Sequence, residues 1–125
     1  MTASEHGTTP ALDLHPRTIA AILVEDYQQA AVLHALAGIR RGQTVDCHLA
    51  PDGRPIWDTI YDLPLSSGEA VLRDVAWELD GHRPDHTSVL GRAVAWLDDR
   101  AYGRVIEAVG IRRGLHVTVG EEVAA

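Results

Sequence analysis

The stretch "TVDCHLAPDGRPIWDTIYDL", residues 44–63, decides how the rest of the chain is read. Val45, Cys47 and Leu49 alternate with Thr44, Asp46 and His48, which is the two-residue period of a half-buried strand. "APDGRP" follows, with Pro, Asp and Gly in an order that suits a tight turn, and "IWDTIYDL" then returns as a second alternating run. The pattern predicts a β-hairpin, with Pro55 at a strand end or edge because it has no N–H to give to a ladder.

The segment "GIRRG" precedes this hairpin at 38–42 and recurs at 110–114, where Leu115, Val117 and Val119 alternate after it as a third strand. Two readings of the repeat stand. In one, each copy turns a helix into a strand, Ile39 and Ile111 anchor the turn, and the arginines sit at helix carbonyl ends where the dipole favours positive charge. In the other, Arg40, Arg41, Arg112 and Arg113 meet at one sheet edge and hold a phosphate or carboxylate through bidentate hydrogen bonds.

Outside these segments the period is helical. "PRTIAAILVEDYQQAAVLHALA", 16–37, opens on a proline suited to the first helical position and ends before Gly38. Ile19, Leu23, Ala30, Leu33 and Ala37 form one apolar stripe, and Ala20, Val24, Tyr27, Ala31 and Ala35 a second beside it. A helix so widely apolar is central to the fold, shared with a partner, or both, and Asp26 is the residue in it expected to be paired. "LSSGEAVLRDVAWELDG" predicts a second helix with a Ser66–Glu69 capping box and Gly81 at its end. A third, "TSVLGRAVAWL", begins at Thr87 or Ser88, and a fourth, "RAYGRVIEAV", is capped by Asp98 or Asp99 and closed by Gly110. The expected architecture is therefore α+β: about four helices packed on a small two- or three-stranded sheet containing a β-hairpin. One domain over 15–119 is expected, between tails at 1–14 and 120–125.

Composition narrows the function classes. The 125 residues carry a net charge of −7, which disfavours unspecific attraction to nucleic acid or anionic membranes. All basic residues are arginine, and Lys, Asn and Phe are absent, as expected of a GC-rich genome. A bacterial regulator, an immunity protein and a phage-encoded inhibitor all fit this composition. Cys47 is the single cysteine, so no intramolecular disulfide forms, and the sequence carries neither a signal peptide pattern nor a long apolar run; a cytoplasmic location is expected.

Asp80, His82, Asp85 and His86 supply mixed oxygen and nitrogen ligands in "DGHRPDH", yet Pro84 opposes the helix that would stack the two histidines; they are weak metal candidates, and neither a metal nor another cofactor is expected. Phosphate-binding loop, dinucleotide fingerprint, nucleophile elbow and zinc-protease helix are all missing from the sequence, and an enzyme is the less favoured reading. Residues 88–109 resemble a helix-turn-helix in outline, with Arg100 and Arg104 four apart on one face as DNA-contact candidates, although acids crowd the helix start. The favoured expectation is a non-catalytic interaction or regulatory protein working through protein–protein contacts, as a possible homodimer. Its interface candidates are Val24 and Tyr27 on the first helix and the aromatic anchors Trp77 and Trp57. A DNA-binding regulator and a small-anion-binding domain are the alternatives.

Overall fold

The computed structural model describes residues 13–40, 43–83 and 89–115. These residues form seven helices: α1 (Pro16–Leu23), α2 (Tyr27–Leu36), α3 (Gln43–Cys47), α4 (Trp57–Tyr61), α5 (Ser67–Leu79), α6 (Val89–Trp96) and α7 (Asp99–Arg112). Among the described residues there is no strand, so the α+β expectation, with helices on a small sheet, is overturned in favour of a helical assembly.

The hairpin failed because of how its first run is buried. Thr44 and Val45 are both buried although they are neighbours, which a strand cannot do on one face but a helix can. They lie on the one-and-a-half turns of α3. What remains of the hairpin is an isolated antiparallel bridge, Leu49 with Pro55, flanked by Ala50 N–H to Arg54 C=O and Ile56 N–H to His48 C=O, both 2.8 Å. The return run becomes α4, where Ile56 and Ile60, and Trp57 and Tyr61, stand four apart. Of the third strand, Leu115 belongs to the turn that ends α7, and Val117 and Val119 lie outside the described residues.

The long first helix is two helices. α1 stops in a Schellman motif: Asp26 N–H bonds Ala21 C=O and Glu25 N–H bonds Ile22 C=O, with Glu25 in the left-handed region at φ 60°. Asp26 then starts α2 by accepting from the Gln29 N–H at 3.1 Å, so its partner is a helix end rather than a cation. The break lets α2 take the axis of the molecule. Ala30 through Leu36 are seven consecutive buried residues, and α1, α3, α5 and α7 all pack around them. The main core joins Val32, Leu33, Leu36 and Ile39 to Val71, Val75 and Ala76 of α5 and Val105 and Ala108 of α7; a smaller core joins α1 to Ala30, Ala31 and Ile111.

The two "GIRRG" copies have different roles, and neither leads into a described strand. In the first, Gly38 and Ile39 form the turn after α2, and a Cβ on Gly38 would lie 2.8 Å from Arg104 Cδ and 2.9 Å from Leu72 Cδ1. In the second, Gly110, Ile111 and Arg112 are helical, and the helix closes four residues later than expected, at Gly114 (φ 81°), with Leu115 N–H on Gly110 C=O. The Ser66–Glu69 capping box of α5 and the Asp98 cap of α7 form as the sequence predicts.

A left-handed glutamate at the α1–α2 corner is held against its own preference. Glu25→Gly is expected to raise the unfolding free energy by about 1 kcal/mol in urea titration. In an unbroken helix the same change would lower it by about 1 kcal/mol, so the sign reports the break.

Candidate functional site

One polar cluster lies at the centre of the fold. His34, on the middle of α2, is fully buried, and its Nε2 stands 2.8 Å from Glu107 Oε1 on α7. Arg104, one turn earlier on α7, donates from Nη1 to the His34 carbonyl at 2.8 Å and lies 3.4 Å from His34 Nδ1. The network is consistent with a neutral imidazole that gives its Nε2 proton to Glu107 and presents Nδ1 as an acceptor to Arg104. Burial pushes the His34 pKa below its ordinary value, opposed by the hydrogen bond to Glu107 and aided by the Arg104 charge. Burial also lowers Arg104, while Glu107 and Asp13 favour its charged form.

Arg104 faces a groove of about 690 Å³ between the start of α7, the turn after α2 and the segment that leads into α1. Arg100 and Asp98 lie on one wall, Asp13 and His15 on another, and Leu72 and Ala101 are apolar lining. His15 is fixed there: Nδ1 accepts the Arg17 N–H and Nε2 meets Asp46 of α3 at 3.0 Å. Arg100 and Arg104 thus share one groove, but Arg104 is half-buried and turned back onto α2.

The arginines of the repeated segments are used separately. Arg40 donates its guanidinium to Pro64 C=O at 2.7 Å and its N–H to Glu69 at 3.1 Å, tying the α2 turn to the start of α5. The backbone N–H of Ser66, and after it that of Arg40, hold the Glu69 carboxyl below its ordinary range against the effect of burial. Arg112 reaches Gln28 of α2 at 3.4 Å, Arg113 is the exposed cap of α7, and Arg41 lies outside the described residues.

Trp57 and Trp77 belong to an aromatic cluster. Their rings meet edge to face at 5.2 Å, Tyr61 packs on Trp77 at 5.4 Å, and His82 stacks on Trp77 at 3.8 Å. Trp57 Nε1 donates to Asp80 at 2.9 Å, and His82 lies 3.4 Å from the same carboxylate oxygen. Asp80 and His82 therefore serve the indoles, and Asp85 and His86 lie outside the described residues. Among the described residues no three metal-ligating side chains converge. Beside the cluster, Asp74 receives Tyr61 Oη, Arg73 and Arg92 within 3.1 Å, a hub that no sequence motif marked; burial and the Asp74 contact push the Tyr61 pKa up to about 12.

Val24 is exposed beside Leu23 at the α1–α2 corner, whereas Tyr27 is half-buried and its ring covers Gly114. A second apolar exposure lies on α6. On α6, Val89 and Ala93 face the core and Arg92 turns in to Asp74, leaving Leu90, Val94, Ala95 and Trp96 to solvent. The sequence carried that signal: "VLGRAVAW" has one polar side chain in eight residues. Among the described residues no helix is long and apolar enough to cross a membrane.

Because His34 takes up a proton less readily folded than unfolded, its contribution to stability is present above about pH 6.5 and declines as pH falls toward the lowered folded value. Urea midpoints at about pH 7.5 and 5.5 should therefore differ more in the wild type than in His34→Gln. Equal pH dependence in the two proteins would rule out a strained neutral histidine.

Compared with known proteins, the sequence matches no family model, and no curated protein or solved structure matches it.

Proposed function

We propose that this is a non-catalytic interaction protein that acts through protein–protein contact and pairs with a second copy of itself through the outer face of α6. The observation that carries the reading is that the solvent-facing side of this helix is apolar: Leu90 and Val94, one turn apart on it, are 64% and 63% exposed, with Ala95 beside them. Contiguous apolar exposure of this kind is costly in water and is relieved by association. The single charge on the helix, Arg92, is already neutralised inward by Asp74 at 2.9 Å, so two copies can meet without opposing like charges on α6. A two-fold contact also lets one apolar face serve both sides. The acidic molecule as a whole would resist approach in any other orientation that brings its carboxylates together.

Among the described residues, several polar side chains of the kind a catalyst uses are already held by partners within the fold. His34 and Glu107 bind each other, Asp80 holds two ring nitrogens, and Asp74 holds three donors. The Arg100 and Arg104 pair does not favour a DNA reader, since Arg104 holds the His34 carbonyl.

Light scattering after gel filtration should give twice the chain mass for the wild type and the single-chain mass for Leu90→Glu/Val94→Glu, with unchanged far-ultraviolet circular dichroism. Val24→Glu should remain dimeric. Dissociation by Val24→Glu with α6 variants still dimeric would move the interface to the α1–α2 corner.

A further inference from the structure

The groove beside Arg104 has no role in that contact, and its chemistry is specific. Its guanidinium is not a solvated surface charge. Nη1 is fixed on the His34 carbonyl at 2.8 Å, the side-chain stem crosses Gly38 where a Cβ would come within 2.8 Å, and burial works against its charged form. Among the described residues no carboxylate stands within ion-pair distance of it; Glu107, the nearest in sequence, is held by His34. A half-buried guanidinium with one edge anchored and another open to a groove is preorganised for a planar anion, because the ordering cost has been met by the fold.

The surroundings decide which anion. Asp13 and Asp98, the latter accepting the Ala101 N–H at 2.8 Å, balance Arg100 and Arg104 on the same groove, so the lining holds no surplus positive charge for a dianion and a monoanion meets less repulsion from the two carboxylates. Leu14, Ala37, Leu72 and Ala101 give the remaining lining an apolar character, and about 690 Å³ is within the usual range for small-molecule sites. We propose that this groove binds a small monocarboxylate with an apolar body, its carboxylate on Arg104 and its body against Leu72 and Ala101.

The probe is N-acetyl-L-leucine, titrated into the full-length protein by two-dimensional NMR, with N-acetyl-L-leucinamide and inorganic phosphate as controls. The expected result is saturable shifts of Ala101, Arg104 and Gly38 amides, at least about tenfold weaker binding of the amide, and weaker binding of phosphate. Arg104→Gln should weaken the acid by about tenfold or more. Ala101→Leu, which fills the apolar part of the groove one turn before Arg104, should do the same, with its melting temperature recorded to show that it folds, so the test survives if Arg104→Gln fails to fold. Equal affinity for acid and amide, phosphate binding as tight as the acid, or no saturable shift up to about 10 mM would overturn the proposal.

Discussion

The burial of α2 on all sides from Ala30 to Leu36 is the constraint on which the other elements depend. Seven successive buried residues leave the helix no solvent face, so every direction around it must be filled by another element. α7 and α5 cover two sides, α1 folds back over a third, and α3 closes the end. This is why α1 and α2 cannot be one rod: an unbroken helix would carry the α1 stripe away from Ala30, Ala31 and Ile111, which it covers in the smaller core. The left-handed Glu25 is the local cost of that packing, roughly 1–2 kcal/mol set against the burial of Ala21 and Ile22.

Burial on all sides also explains the polar cluster. A histidine at the centre of α2 has no access to water, and an unsatisfied imidazole there would cost more than the hydrogen bonds now made. Glu107 answers one ring nitrogen and Arg104 approaches the other, and both come from α7 one turn apart. The pair sets the rotation of α7 about its own axis, because only one face can bring both side chains onto His34. Apolar packing of Val105, Ala108 and Ile111 would tolerate some rotation; a three-group hydrogen-bond network tolerates much less.

The helices were legible where caps and apolar stripes coincided. Ser66 with Glu69 and Asp98 specify the starts of α5 and α7 by caps that do not need the rest of the chain, while the apolar run 16–37 showed helix but not its division into α1 and α2. The error arose where the run was short. Six residues at 44–49 match a period of two by chance, and the deciding fact, that Thr44 and Val45 are buried together, is tertiary. The split at Glu25 was hidden for a related reason: a Schellman ending is usually announced by glycine, and here a glutamate occupies the left-handed position. Of the site, the sequence showed that Arg100 and Arg104 share a face; it offered Trp57 and Trp77 as interface anchors, whereas their rings pack on each other within the chain. It could not show that Arg104 turns inward, since that depends on His34, seventy residues away.

Gly38 connects these observations. Its φ is not in the left-handed region, so the residue is needed for space rather than for conformation. The Arg104 stem and Leu72 both press where its Cβ would be, and any larger residue would force these two side chains to move. The first "GIRRG" glycine thus makes room for an arginine from the other end of the chain, while the last glycine of the second copy supplies a positive φ. Identical letters do different physical work in the two places. The repeat is therefore a poor guide to duplication, and the contact between Gly38 and Arg104 is the feature through which the central helix, the polar cluster and the groove act on one another.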